Sequence, residues 1–117
     1  MQTIVDICPL KPGKLAAYKA FAAEITGPRK KEFADLLKRY GLHTANTYYH
    51  KIGDTEFVVV VHVAEPDARK RLQSFGTSQN LMDQWFCKQL EMLIDHAPLN
   101  NGGDQEAQLI FSFGHRG

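Results

Sequence analysis

The sequence predicts an α+β fold in which a four-stranded antiparallel sheet carries two helical regions on one of its faces. A run of β-branched residues at positions 55–63, T-E-F-V-V-V-V-H-V, is typical of a central strand. Apolar residues recur at helical spacing in two other stretches, and each stretch follows a predicted strand. The resulting order is β-α-β-β-α-β, and right-handed crossovers then place both helical regions on the same side of the sheet.

The first part of the chain predicts a strand followed by a long helix. Residues 2–10 alternate as a strand does, and the segment Lys11-Pro12-Gly13 ends that strand. Helical spacing begins at Leu15, is interrupted at Pro28 and continues to Gly41. We therefore expect one long helix with a kink, packed against the sheet through its apolar stripe.

A hairpin, a second helical region and a last strand follow. Residues 42–51 form the next predicted strand, and Gly53-Asp54 turns the chain into the valine-rich strand. The second helical region runs from 67 to about 95 with a break at Gly76. Residues 107–113 then complete the sheet as its fourth strand. The apolar side of this strand consists of Leu109, Phe111 and Phe113.

The two sides of the valine-rich strand differ in polarity, and this difference predicts which side meets the helices. One side is wholly apolar, so we expect it to pack against the helices; it consists of Phe57, Val59, Val61 and Val63. The other side carries His62 and should form an open face; its apolar middle consists of Ile4, Val58, Val60 and Ile110. Four strands leave roughly 400 Å² of such a face uncovered. We therefore expect a homodimer in which a second copy covers the open face.

Composition restricts the class of protein. A chain of 117 residues suffices for one domain, 1–117, with a single core. The balance of 14 basic and 13 acidic residues gives no charge pattern for nucleic acid or a membrane surface. Cys8 and Cys87 lack metal-ligand spacing, so we expect reduced thiols in a cytoplasmic protein that uses no metal and no cofactor.

Several segments together resemble the dimeric ferredoxin-like, or dimeric α+β barrel, superfamily. They are Leu10-Lys-Pro-Gly-Lys14, the helix that carries Tyr18, Gly41 before a strand, and a hairpin into a valine-rich strand. The last strand, Leu109-Ile-Phe-Ser-Phe113, is similar to that of small bacterial members whose activity is not established. The resemblance implies a ferredoxin-like βαββαβ domain that forms a dimer, and by itself it implies no activity.

Two kinds of enzyme in this superfamily provide a more specific comparison. L-rhamnose mutarotases share the L-K-P-G-x-x-x-x-Y opening, but this chain has Ala22 where they carry a catalytic His. Small polyketide cyclases and haem-degrading monooxygenases bind their ligands in the cleft between sheet and helices. The monooxygenases ligate haem through a His in the second helix, where this chain has Trp85 and Cys87. The resemblance therefore implies a cleft for a small molecule and does not extend to haem.

His62 is the candidate of greatest chemical interest. Imidazole is the side chain best suited to act as a general acid or base, and Asp6 on a neighbouring strand or Tyr48 could be its partner. The structural alternative is a strand-end histidine that hydrogen-bonds to a neighbour. Further candidates for holding a ligand are polar or aromatic side chains that are equally compatible with core or surface positions: Tyr18, Asn46, His50 and Trp85.

These observations leave three functions open. The first is binding of a small ligand in the cleft between sheet and helices. The second is a cofactor-free isomerase or cyclase acting on a small carbonyl or aromatic substrate. The third is a purely structural dimerisation module. The fold alone does not choose among them.

Overall fold

The computed structural model describes residues 1–95 and 107–114. In this part of the chain, one strand is followed by two α-helices, then by two strands and two further α-helices, with a short 3-10 helix at Phe75–Thr77 between the last two. The strands are β1 (Gln2–Pro9), β2 (Asn46–Ile52) and β3 (Thr55–Ala64). The helices are α1 (Leu15–Thr26), α2 (Lys30–Arg39), α3 (Ala68–Leu72) and α4 (Leu81–Leu93).

Within the described residues, the sheet has three strands in the order β1-β3-β2, and both pairings are antiparallel. The valine-rich strand is central, as predicted. Gly53 adopts φ +59° at the hairpin between β2 and β3, a conformation that glycine tolerates best. The predicted fourth strand is wrong, because residues 107–114 form neither helix nor strand. A strand needs a partner for its backbone hydrogen bonds, and this segment has none among the described residues.

The predicted breaks in the helical regions are confirmed. Pro28 separates α1 from α2, so the expected kink divides one long helix into two. Gly41 follows α2 at φ +70°, and the nearby N–H groups of Gly41 and Leu42 bond to the carbonyls of Lys38 and Leu37. Residues near Gly76 form the 3-10 helix between α3 and α4.

The side of the sheet that packs against the helices is the reverse of the predicted one. Val58 is 1% exposed and Ile4 is 4% exposed, and both belong to the core with the buried residues of the helices. Ala64, on the same side as Val58, is also buried where the chain leaves β3 for α3. The prediction that Phe57, Val59, Val61 and Val63 face the helices is wrong. Both sides of β3 are largely apolar, so polarity could not show which side is buried.

The outer side of the sheet therefore carries the other set of apolar residues. Val59 lies between Ile7 of β1 and Tyr48 of β2, and Val61 lies between Val5 and Asn46. Ile7 and Tyr48 are more than half exposed.

Across the described residues, no helix is both long and apolar enough to cross a membrane.

Candidate functional site

A cavity of about 330 Å³ lies between the inner side of the sheet and the helices. The sheet contributes most of its polar groups, and the helices contribute mostly apolar ones. This division follows from the fold, since alternate residues of β1 and β3 point inward while each helix presents its apolar stripe. The sheet residues used below are Asp6, Cys8, Thr47, Val60 and His62.

The helical wall of the cavity is aromatic and centres on Phe86 of α4. The ring of Phe86 lies 5.0 Å from that of Phe21 in α1, centroid to centroid, with the two planes steeply inclined. It also lies 5.9 Å from the rings of Phe33 and Phe75, stacked on the first and edge-on to the second. Offset and edge-to-face pairs of this kind hold aromatic rings in fixed orientations. The wall therefore offers a shaped apolar surface to a flat ligand.

The hydrogen bond of His62 fixes the tautomer of its ring. Its Nδ1 lies 3.0 Å from the backbone carbonyl oxygen of Thr44. A carbonyl oxygen only accepts, so Nδ1 carries the proton and donates. In the neutral ring, Nε2 then keeps its lone pair and can accept a proton. Because His62 lines the cavity, this arrangement suits a general base.

Asp6 lies on the same side of the sheet as His62 but does not bond to it. In the β1–β3 register, Asp6 is opposite Val60 and His62 is opposite Ile4, so the two side chains are diagonal neighbours. The Asp6 carboxylate instead accepts a hydrogen bond of 2.9 Å from the guanidinium of Arg69, and both side chains are about one-third exposed. Asp6 and Arg69 thus form a charged pair at the cavity margin.

Two further polar groups of the cavity are held in their neutral forms. Burial, followed by the negative charge of Asp6, raises the pKa of the Cys8 thiol to about 11. Burial also raises the pKa of Tyr18, although a side-chain interaction with Thr47 acts in the opposite direction. Near neutral pH, Cys8 is therefore a weak nucleophile and Tyr18 keeps a hydroxyl that can donate a hydrogen bond.

Comparison with known proteins relates the chain to an enzyme through structure alone. No protein-family model matches the chain, and no curated protein matches it significantly in sequence. Among solved structures, it is similar to tetracenomycin F2 cyclase from Streptomyces glaucescens, which is described as a type-II polyketide cyclase. The TM-score is 0.62 at 12% identity, and the match covers 99% of this chain and 100% of that chain. The chain shares the fold of this cyclase. At such low identity, the similarity extends to the fold and not to the activity.

The structure brings some of the predicted site residues together and separates others. His62, Asp6 and Tyr18 all line the cavity. Tyr48 pairs with Val59 on the outer side of the sheet, so it does not share the cavity with His62. The remaining candidates also lie outside the cavity lining: Asn46 and His50 on the outer side of β2, and Trp85 on α4. The catalytic and binding roles of all seven residues stay predictions.

Trp85 has a structural environment of its own. Its ring lies 5.8 Å from that of Phe21, and the guanidinium of Arg29 lies 4.1 Å from the Trp85 ring centroid. A cation over an aromatic face is a stabilising arrangement, and it joins α4 to the start of α2. The ring of Trp85 thus contacts Phe21 and Arg29 of its own chain and does not line the cavity.

Three residues of the site were not predicted from the sequence: Thr47, Cys8 and Arg69. The signal for Thr47 was the length of the hairpin. A two-residue turn at 53–54 pairs Ile52 with Thr55, which places Thr47 opposite Val60 and moves Tyr48 to the other side. No comparable signal existed for Arg69, because its distance from Asp6 depends on packing between α3 and β1. In residues 1–95 and 107–114, no group of three or more His, Cys, Asp or Glu could hold a metal ion.

Proposed function

We propose that the cavity binds a small, mainly aromatic molecule and that the protein is a cofactor-free cyclase or isomerase of such a substrate. The observation that carries this proposal is the division of the cavity into an aromatic wall, beside which Tyr18 of α1 lies, and an opposite side on the sheet with His62 and Asp6. Ligand sites are typically apolar with a few placed polar groups. A solved structure of the same fold is described as a type-II polyketide cyclase, so this reaction class is one that the fold can accommodate.

The chemistry begins with His62 as the base. Its Nε2 accepts a proton from a carbon next to a ketone, and the electron pair of that carbon forms a bond to a second carbonyl carbon within the same molecule. The oxygen of the second carbonyl then takes the proton back from the imidazolium as it becomes a hydroxyl. This step conserves atoms and electrons and needs no cofactor. An isomerase would use the same proton abstraction and return the proton to a different carbon.

The other polar groups stabilise the negative charge that develops on oxygen. Arg69 supplies a positive charge at the cavity margin, and Asp6 positions it through the bond of 2.9 Å. The Tyr18 hydroxyl keeps its proton, and burial raises its pKa further, so it can donate to a ketone or enolate oxygen. Cys8 keeps its proton and adds a small, weakly polar surface.

The volume of the cavity limits the size of the ligand. At about 330 Å³, it lies at the lower end of the range of roughly 300–1,000 Å³ for small-molecule sites. Two or three fused rings suit this volume better than a larger polycycle.

Binding without turnover is the second candidate function. The observation that favours it is that Asp6 bonds to Arg69 rather than to His62. The Nδ1 of His62 instead donates to the backbone carbonyl of Thr44. Without a carboxylate on Nδ1, the imidazole is a weaker base than in a His–Asp pair. The same cavity would then hold a ligand that the protein carries or senses.

Two probes separate these functions. Binding of 1-naphthol, measured by its fluorescence and by thermal shift, reports on the cavity itself. Ring opening of 5-nitrobenzisoxazole, a bicyclic compound that loses a proton from carbon to a base, reports on an active base in an apolar site. The test variant is His62→Gln, and the matched control is His43→Gln, an exposed histidine bonded to Glu65 at 3.0 Å.

For a cyclase or isomerase, we expect His62→Gln to lower the ring-opening rate by about a hundredfold, the usual contribution of a general base. His43→Gln should retain the wild-type rate. Equal rates for wild type and His62→Gln would overturn the catalytic role and leave ligand binding as the function. The absence of 1-naphthol binding to the wild type would overturn both.

A further inference from the structure

Along most of its length, the outer edge of β1 has no strand partner among residues 1–95 and 107–114. The N–H of Leu10 points towards β3 and donates a hydrogen bond of 2.9 Å to the carbonyl of Glu56 in that strand. Antiparallel strands alternate the direction of these groups, so the N–H and C=O of Thr3, Val5 and Ile7 point away from β3. No described residue bonds to them. Six backbone groups are thus open to another strand, which is the usual hazard of an exposed edge.

The same chain carries an exposed apolar segment, residues 107–113, that does not pack against the rest of its described part. The side chains of Leu109, Ile110, Phe111 and Phe113 are between 77% and 89% exposed. Within the described part of the chain, residues 107–114 form no hydrogen bond with the rest of the protein. Four large apolar side chains in a row of five are costly to leave in water. With seven residues, the segment 107–113 is nearly as long as β1 and alternates as a strand does.

The cavity reaches the free edge of β1. Its lining includes the three consecutive residues Asp6, Ile7 and Cys8, although consecutive side chains of a strand point to opposite sides. The cavity therefore touches β1 along its edge as well as on its inner side. Leu90 and Ile94 continue the lining beyond that edge. At this margin, the cavity lacks the wall that a further strand would supply.

We propose that residues 107–113 of one copy pair with the free edge of β1 in a second copy, where Leu109, Phe111 and Phe113 form the missing wall of the cavity. The apolar side of the segment faces Leu90 and Ile94, and Ile110 and Ser112 lie on the outer side beside Ile7. Each copy gives its segment and receives one, so the exchange closes as a twofold pair. The role of the segment as a cavity wall rests on the proposed function. The pairing of the two copies does not, and cross-linking and sedimentation test it separately.

The contacts at the end of β1 favour a second copy as the occupant. After α4, the chain makes an antiparallel bridge between Ile94 and Leu10, and Asp95 donates to the carbonyl of Pro9 at 2.8 Å. The chain's own contact with the edge thus occurs at the end of β1, while its segment 107–114 is clear of the remainder. Pairing with a second copy satisfies the open backbone groups and buries the apolar segment at the same time.

Disulfide mapping tests the arrangement directly. In a Cys8→Ser, Cys87→Ser background, Ile7→Cys places one thiol on the exposed outer side of β1. A second cysteine is introduced singly at positions 109 to 113, and each protein is oxidised with copper phenanthroline and separated by mass without reductant. The control is Ile7→Cys alone.

We expect Ile110→Cys or Ser112→Cys to give a species of twice the chain mass. Leu109→Cys, Phe111→Cys and Phe113→Cys should not, because their side chains lie on the other side. A disulfide within one chain would show that the segment covers its own edge and would overturn the proposal. Cross-links at 109, 111 and 113, or none above the control, would also overturn it.

A second measurement does not depend on cysteine chemistry. The triple variant Leu109→Ser, Phe111→Ser, Phe113→Ser should sediment as a single chain, and it should bind 1-naphthol about tenfold more weakly because the apolar wall is lost. Leu81→Ser, equally exposed at 82% on α4, is the matched control and should keep the wild-type mass. A triple variant of wild-type mass would overturn the exchange. If the triple variant sediments as a single chain but the wild type does not bind 1-naphthol, the exchange is upheld and the proposed function is refuted.

Discussion

Asp83 is a fully buried carboxylate whose hydrogen bonds join three parts of the fold. It accepts three hydrogen bonds of 2.9 to 3.0 Å from the guanidinium of Arg39. It accepts two more from hydroxyls, one of 2.6 Å from Tyr40 and one of 2.7 Å from Ser78. A charge at 0% exposure persists only when it is paired and hydrogen-bonded. The cluster is therefore structural, and it holds α2 against the start of α4.

Asp83→Ala should lower the free energy of unfolding by about 3 kcal/mol, because removal of one partner leaves Arg39 and the hydroxyls without their acceptor. Urea denaturation monitored by circular dichroism measures the loss. Asp35→Ala is the matched control, since Asp35 bonds to the same Arg39 at 2.9 Å but is 61% exposed. Its cost should stay below about 1 kcal/mol. Equal losses for the two variants would contradict the structural role of Asp83.

The Cys8 thiol should react slowly with alkylating reagents in the folded protein. Its pKa is raised from 9.0 to about 11 by burial and by Asp6. The thiolate fraction at pH 8 therefore falls about a hundredfold relative to an unfolded chain. In a Cys87→Ser protein, iodoacetamide labelling followed by mass spectrometry should be correspondingly slower in buffer than in urea. The stability that this thiol contributes is present below pH 9 and is lost as the pH rises towards 11. Equal labelling rates in buffer and in urea at pH 8 would refute the raised pKa.

At the scale of the element, the start of α4 depends on one side chain. The Asn80 Oδ1 accepts hydrogen bonds from the backbone N–H groups of Met82 at 2.9 Å and Asp83 at 3.2 Å. Asn80→Ala should cost about 1 kcal/mol of unfolding free energy, the usual loss for a helix N-cap. Gln79→Ala is the control, because Gln79 is exposed and has no side-chain hydrogen bond among the described residues. A control as destabilising as the cap variant would show that the loss is not due to capping.

The elements could be predicted from the sequence where the signals are local. Pro28 interrupts a helix and Gly53 suits a tight hairpin whatever the rest of the chain does, and both positions were predicted correctly. The inner side of β3 could not be predicted, because Val58 and Val59 are equally apolar and tertiary packing makes the choice. Residues 107–113 have a strand pattern, but a pattern cannot form a strand without a neighbouring backbone.

At the scale of the whole molecule, the site was predictable only in part. Alternation along β3 and β1 placed His62 and Asp6 on one side of the sheet, and the structure agrees. Their diagonal offset depends on the register between β1 and β3, which are distant in sequence. The aromatic wall around Phe86 depends on the packing of three helices and the 3-10 helix, and no local signal reports it. Some of the reactive groups of the site could thus be predicted from the sequence, whereas the shape of the cavity could not.

At the same scale, the outer side of the sheet stays available for contact between the two copies of the exchanged pair. Val61 lies at the centre of this side, between Val5 and Asn46, and it is only half-buried within one chain. A lysine there would be desolvated without a partner if the two sheets pack face to face. Val61→Lys should therefore weaken self-association by about tenfold or more, a change of at least 1.4 kcal/mol, in sedimentation velocity across a concentration series. Ala20→Lys, on the exposed side of α1, is the control and should leave association unchanged. If Val61→Lys associates as the wild type does while the triple serine variant does not, the strand exchange alone holds the pair together and the sheet-to-sheet contact is refuted.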